Sequence, residues 1–89
     1  MLEQQVTICN KLGLHARAAA KFVGLASQFE SHIEVAKEGR TVNGKSIMGV
    51  MLLAASKGTS VKLMVEGKDA EEAMQQLTEL INNRFDEDE

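Results

Sequence analysis

The chain has 89 residues, a length that suits one small domain spanning 1–89. Its 10 Lys and Arg against 13 Asp and Glu give a net charge of −3. We therefore expect neither nucleic acid nor an anionic membrane surface as a partner, because both select basic proteins. A single cysteine excludes an internal disulfide and a Cys-rich zinc site. The sequence lacks the pattern of a signal peptide or a membrane span, and we expect a soluble, cytoplasmic protein.

The first third of the chain predicts a strand followed by a helix. Apolar and polar residues alternate over 4–9, which places Val6 and Ile8 inward and Cys9 on the outward face. The period then changes to that of a helix beginning near Ala16. Its predicted buried face consists of Ala19, Phe22, Val23, Ala26 and Phe29.

The middle of the chain predicts a pair of strands and a short helix. Alternation returns over 32–37 and, after a tight-turn signal at 38–39, continues over 40–42. Ser46 is a good N-cap for a short helix over 47–55, because its side chain can accept a backbone N–H.

The last third predicts a strand over 60–66 and a final helix. Asp69 as N-cap, with Glu72 three residues later, resembles a capping box. The acidic run at 86–89 predicts a frayed, solvated tail. The predicted buried stripe of the final helix consists of Ala70, Ala73, Met74, Leu77, Leu80, Ile81 and Phe85.

The order of these elements, β-α-β-β-α-β-α, indicates the fold class. Alternating strands with helices to cover one side give an α+β protein, a two-layer sandwich of a sheet and a helical layer. The pattern alone leaves the strand order open, and a ferredoxin-like arrangement fits nearly as well.

Residues 13–19 place His15 at a loop-to-helix junction. The first turn of a helix has unpaired N–H groups and a partial positive charge, so it attracts anions. That charge favours the neutral imidazole, which is the nucleophilic form. The N–H groups of Ala16 and Arg17, together with the Arg17 guanidinium, can hold phosphate oxygens. Two interpretations fit this spacing: a site for a transient phosphohistidine at His15, without a metal or a bound nucleotide, and a histidine that serves only as a solvated helix cap.

Residues 10–22 closely resemble the active-site signature of HPr. HPr is the histidine-containing phosphocarrier of the phosphoenolpyruvate-dependent sugar phosphotransferase system. The segments at 43–49, 57–59 and 67–73 agree as well, so the resemblance covers essentially the whole chain. It implies an open-faced β-sandwich with three helices on one side of a four-stranded antiparallel sheet. In that sheet the last strand lies between the first and the second.

The resemblance also implies the chemistry. His15 would accept a phosphoryl group on Nδ1 from enzyme I and pass it to an enzyme IIA domain, with Arg17 as the phosphate partner. Such a carrier has no turnover of its own and needs no cofactor, and we expect a monomer. The nitrogen-related branch, which has a regulatory IIA partner, is the alternative within the family.

The resemblance gives the segment from Ser46 a regulatory and a docking role. It implies phosphorylation of Ser46 by an HPr kinase/phosphorylase, which would add negative charge beside a docking surface. It also favours Ile47, Met48 and Met51 as residues that bind enzyme I and the IIA domains. Two other classes stay open: a regulatory binding module acting through Ser46, and a dimeric ferredoxin-like domain that binds a small molecule.

Ala18 departs from the family, in which many members carry proline directly after the active-site arginine. With His15 as N-cap, Ala18 is the third helical position, and we expect its N–H to be a further donor to the phosphoryl group. His32 is expected to face solvent at the start of a strand. We also expect a basic rim around the histidine, formed by Lys11, Arg17, Lys21 and Lys45.

Overall fold

Four strands and three α-helices follow one another in the predicted order in the computed structural model, which describes residues 1–89. The strands are β1 (Leu2–Thr7), β2 (His32–Lys37), β3 (Arg40–Asn43) and β4 (Ser60–Glu66). The helices are α1 (Ala16–Ala26), α2 (Ile47–Leu52) and α3 (Ala70–Asn82), and a 3-10 turn at Arg84–Asp86 follows α3. None of the helices has the length and apolar character needed to cross a membrane.

The strands form one antiparallel sheet in the order β1-β4-β2-β3. Leu63, in the middle of β4, pairs with Gln4 of β1 on one side and with Val35 of β2 on the other. Val61, Leu63 and Val65 are buried and their neighbours are not, because successive side chains of a strand point to opposite faces. The predicted open-faced α+β sandwich is confirmed, with β4 in the position that the resemblance implied.

The buried side chains form one cluster of 22 residues. Phe22 of α1 and Phe85 beyond α3 are its largest fully buried members. In a chain without Trp or Tyr, the remainder of this core is aliphatic apart from Phe29 and Met74. The predicted stripes of α1 and α3 are largely buried, although Val23 and Leu80 are only half-buried and Phe29 lies beyond the end of α1.

Two segments end earlier than predicted. The second helix stops at Leu52 instead of residue 55, because Ala54 adopts a left-handed conformation with a φ of +49°. β1 ends at Thr7, so the outward placement of Cys9 on this strand is wrong. The Cys9 thiol donates to the carbonyl oxygen of Ile81 at 3.3 Å, near the end of α3.

The predicted capping box at the start of α3 is also wrong. Asp69 is the N-cap residue, but its carboxylate makes no capping bond. It accepts from the backbone N–H groups of Glu30 at 2.9 Å and Ser31 at 3.0 Å, and from the Ser31 hydroxyl. The Ser31 hydroxyl is the main cause that lowers the pKa of Asp69, and the backbone donors add to it. Asp69 thereby ties the start of α3 to the loop between α1 and β2.

Candidate functional site

The loop between β1 and α1 fixes the position of His15. Gly13 has a φ of +69°, and a Cβ at this residue would lie 2.5 Å from the carbonyl oxygen of Ala55, so the close approach requires glycine. The N–H of Leu14 donates to the same oxygen at 2.9 Å, and the Leu14 side chain is buried. The segment after α2 thus supports the loop, and His15 follows as the N-cap of α1.

Both ring nitrogens of His15 have a partner. The backbone N–H of Arg17 donates to Nδ1 at 3.3 Å, a long capping bond. Nε2 lies 2.6 Å from Oε2 of Glu87. Because a carboxylate only accepts, the neutral ring carries its proton on Nε2 and its lone pair on Nδ1. The nitrogen nearest the positive end of α1 is therefore the nucleophilic one.

The acidic tail does not fray, and the prediction that it would is wrong. Oε1 of Glu87 accepts from the Asn10 side-chain amide at 3.0 Å, and the Glu89 carbonyl accepts from the Lys11 N–H at 2.8 Å. The hydrogen bond from Asn10 is the largest cause that lowers the pKa of Glu87, and the contact with His15 and the charge of Arg17 add to it. An ionised carboxylate thus lies against the candidate histidine.

A left-handed run of backbone turns the tail toward His15. Arg84, Phe85 and Asp86 have φ values of +56°, +53° and +62°, although none is glycine. Such a conformation costs about 1–2 kcal/mol per residue. The fully buried Phe85 ring and a 2.9 Å hydrogen bond from Lys21 Nζ to the Phe85 carbonyl hold the run in place.

Residues of the loop, α1 and the tail enclose an open cleft of about 730 Å³. Three predicted members of the basic rim line it: Lys11, Arg17 and Lys21. The prediction is wrong for Lys45, whose Nζ donates to the carbonyl of Phe29 at 2.7 Å and which does not line the cleft. The cleft therefore combines these cations, suited to a phosphoryl dianion, with the carboxylates of the tail residues Asp86, Glu87, Asp88 and Glu89.

The first turn of α1 supplies backbone donors next to Nδ1. The N–H groups of Ala16 and Ala18 donate to no backbone carbonyl, as expected for the start of a helix. The Arg17 N–H bonds only Nδ1. The Ala18 methyl group is fully buried, so this residue combines a core contact with a free N–H group.

α2 is short and exposes apolar side chains. Ser46 is its N-cap, and its hydroxyl accepts from the N–H of Gly49 at 3.1 Å. Val50 is buried in the core. The apolar patch consists of large side chains that face solvent on α2 and on the loop before α1: Leu12, Ile47, Met48, Met51 and Leu52.

The family model described as the phosphorylation site of the HPr component of the phosphotransferase system (PTS) matches residues 2–83. The chain belongs to the HPr family. A phosphocarrier protein HPr from Xylella fastidiosa is 57% identical over 88 residues, covering 99% of either chain. A crystal structure of HPr-C-His from Thermoanaerobacter tengcongensis matches at a TM-score of 0.96 and 52% identity, covering 100% of both chains. A phosphocarrier protein NPr from Shewanella violacea is 42% identical over 97% of this chain and 94% of its own.

Membership of the HPr family confirms the resemblance read from residues 10–22. The fold and the general function of a phosphocarrier of the phosphotransferase system are established with it. The relatives are named phosphocarrier proteins, a name that fits a relay role.

Two residues of the site could not be found by sequence reasoning. Asn10 is buried and shares its amide N–H groups between the Gly13 carbonyl and Glu87. Glu87 contacts a residue 72 positions away, and no periodicity links it to His15. The one available signal was Phe85, which continues the apolar stripe beyond α3 and indicates that the chain stays packed there.

Proposed function

We propose that His15 is the phosphoryl acceptor and donor of this carrier, taking the group from phosphorylated enzyme I and passing it to enzyme IIA domains. The observation that supports this most strongly is the unprotonated Nδ1 at the start of α1, beside backbone N–H groups and the cleft. The whole chain acts as one carrier domain, and its natural place is the cytoplasm, where phosphoenolpyruvate charges the donor.

The transfer is an in-line displacement at phosphorus. The Nδ1 lone pair of His15 forms a bond to phosphorus, and the donor keeps the electron pair of the bond that breaks. The backbone N–H of Arg17 stops donating to Nδ1 and donates to a phosphoryl oxygen instead. The N–H groups of Ala16 and Ala18 supply further hydrogen bonds to the phosphoryl group. The Arg17 guanidinium neutralises part of the charge. Transfer to the next protein repeats the step in reverse.

The shallow position of His15 suits a relay. Its side chain is 28% exposed, and the cleft is open, so a partner's reacting group can reach Nδ1. The phosphoryl group is held by surface contacts that a second protein can replace. A deep pocket would bind the group more tightly and slow its release.

The apolar patch on α2 is the proposed docking surface. Ile47, Met48 and Met51 are 43%, 71% and 38% exposed, and unbranched methionines adapt to different partner surfaces. Docking of enzyme I and of IIA domains on the same residues would allow the monomeric carrier to serve each in turn.

Ser46 is the proposed regulatory residue. Its hydroxyl already accepts a helix N–H, so a phosphate there would keep the cap of α2 while placing negative charge beside Ile47 and Met48. An HPr kinase/phosphorylase is the enzyme that this role requires, and the modification would weaken docking.

The sugar branch is favoured over the nitrogen-related branch because identity to HPr relatives exceeds identity to the NPr relative. Comparing transfer rates to a sugar-specific IIA and to a regulatory IIA protein tests this assignment. Faster transfer to the regulatory protein would reverse it.

Incubation with enzyme I and 32P-phosphoenolpyruvate tests the carrier site. We expect one acid-labile label per chain, lost in His15→Ala and kept in the control His32→Ala, whose imidazole is exposed on β2. An acid-labile label that survives His15→Ala would assign the chemistry to another residue.

A second incubation, with an HPr kinase/phosphorylase, tests the regulatory site. Acid-stable label that is absent from Ser46→Ala would identify Ser46 as that site.

A further inference from the structure

We propose that Glu87 is a positioning residue for phosphoryl transfer: its carboxylate holds the imidazole proton of His15 on Nε2, which leaves the lone pair on Nδ1 and fixes the ring. This inference rests on the proposed function and adds the residue that makes His15 attack through one nitrogen. The first observation behind this inference is the contact of 2.6 Å between Nε2 of His15 and Oε2 of Glu87. The His15 side chain is 28% exposed and the Glu87 side chain is 15% exposed.

The carboxylate of Glu87 is oriented by a second contact. Its Oε1 accepts from Asn10 at 3.0 Å, and the same amide donates to the Gly13 carbonyl at 2.8 Å. Because Asn10 is fully buried and both of its partners are acceptors, its amide cannot turn without losing both bonds. Oε1 of Glu87 thus accepts from the loop before α1, and Oε2 contacts His15.

The unusual backbone conformation before Glu87 also supports a specific position for its side chain. Three successive residues without glycine, Arg84 to Asp86, are left-handed, which is uncommon. The Glu87 N–H donates to the Arg84 carbonyl at 2.9 Å, and the Asn83 amide donates to the Asp86 carboxylate at 2.7 Å. Strained backbone that the surrounding structure holds in place is concentrated at functional sites.

Glu87 also faces the charge that develops during transfer. When Nδ1 of His15 binds phosphorus while Nε2 keeps its proton, the ring becomes positively charged. The Glu87 carboxylate compensates that charge without taking the proton. When the phosphoryl group leaves, the electron pair returns to Nδ1 and the proton is still on Nε2. The same contact therefore serves acceptance and donation.

Glu87→Gln separates hydrogen bonding from charge. Glutamine has one accepting and one donating end, whereas Asn10 and Nε2–H both require an acceptor. If the glutamine oxygen faces Asn10, its NH₂ group faces Nε2 and moves the ring proton to Nδ1. Glu87→Ala instead removes the group and exposes Nε2.

The test uses the full chain with phosphoramidate, a small donor whose P–N bond breaks as Nδ1–P forms and ammonia leaves. This donor removes partner docking from the measurement. We expect 15N NMR to place the neutral ring proton on Nε2 in wild type and to show a shift toward Nδ1 in Glu87→Gln. We expect the phosphorylation rate of Glu87→Gln to fall by about tenfold, equivalent to about 1.4 kcal/mol. Phosphorus NMR should find label on Nδ1 alone in wild type and also on Nε2 in Glu87→Ala.

Glu71→Gln is the charge-matched control, since it removes one exposed carboxylate at the start of α3, outside the cleft. It should match wild type in ring tautomer, in rate and in the labelled nitrogen. Wild-type tautomer and rate in Glu87→Gln, with label confined to Nδ1 in Glu87→Ala, would overturn the role of Glu87 while leaving His15 as carrier. Failure of the proposed function is distinct: wild type itself would take up no label.

Discussion

The side-chain amine of Lys21 in α1 donates to the carbonyl of Phe85 at 2.9 Å, joining segments 64 residues apart. Phe85 is fully buried, so this contact and the core hold the chain after α3 against the middle of α1. The anchor at Phe85 and the left-handed run at Arg84–Asp86 together bring the tail to His15.

Phe85→Ala should therefore destabilise the fold and release the tail. Truncating a fully buried phenylalanine leaves a cavity and lowers the free energy of unfolding by about 3–5 kcal/mol. Urea denaturation measures this loss, and Leu12→Ala, at an exposed site, should change stability by less than about 0.5 kcal/mol. Similar values for the two variants would show that Phe85 is not an anchor.

Asp69→Asn should lower stability at neutral pH and have little effect in acid. The folded-state pKa of Asp69 is lowered, mainly by the Ser31 hydroxyl, so its ionised form stabilises the fold above the unfolded value. That contribution is lost as pH falls below 3.8, the ordinary value, and through the lowered one. Thermal unfolding of wild type and variant from pH 7 to pH 2 should show the gap closing. Glu71→Gln, exposed in the first turn of α3, controls for charge; a gap constant with pH would contradict this account.

Gly13→Ala and Gly24→Ala should have opposite effects on stability. At Gly13 a methyl group meets the Ala55 carbonyl and needs a left-handed backbone, which costs about 1–2 kcal/mol before the clash is counted. At Gly24, within α1, a methyl group meets nothing within 4 Å and should stabilise the helix by about 0.5–1 kcal/mol. Chemical denaturation of both proteins checks the signs. Equal effects would mean that the loop before His15 can shift freely.

Ser46→Asp should keep the fold and slow phosphorylation by enzyme I. Aspartate also caps helices, whereas Ser46→Ala should lose about 1 kcal/mol of stability. The added charge lies at the start of α2, next to the apolar patch, and should raise the KM for the carrier. Gln75→Glu adds the same charge on exposed α3 and should leave the KM unchanged. A KM equal to wild type in Ser46→Asp would separate Ser46 from docking.

Ala18→Pro should preserve transfer. The Ala18 N–H donates to no backbone carbonyl, and proline is tolerated in the first turn of a helix. One donor near the phosphoryl group is lost, so the lifetime of phosphohistidine should change only modestly. Loss of transfer, together with a phosphohistidine decay rate far from that of wild type by phosphorus NMR, would show that the first turn of α1 has a different geometry around the phosphoryl group.

Local patterns predicted what depends on neighbours in the chain. The alternation of Val61, Leu63 and Val65 gave the buried face of β4, since a strand of period two has only two faces. The start of α1 after His15 followed from a change of period. The strand order came from the resemblance to HPr, because alternation does not specify which strand lies beside which.

Such local patterns could not predict the long-range polar contacts. Asp69 looks like a local cap, but its carboxylate finds two N–H groups and a hydroxyl in the Glu30–Ser31 loop instead. Lys45 looks like part of a basic rim but caps a carbonyl at Phe29. Each outcome depends on which acceptor or donor the folded backbone leaves unpaired nearby, and only the assembled structure decides that.

The carbonyl of Glu89 accepts from the Lys11 N–H, within the same loop that carries His15. An affinity tag or fluorophore attached at Glu89 therefore lies beside that loop and should obstruct access to the cleft. Met1 is exposed ahead of β1, so it lies at the opposite end of that strand from the loop that carries His15. Labels for interaction measurements belong at that end.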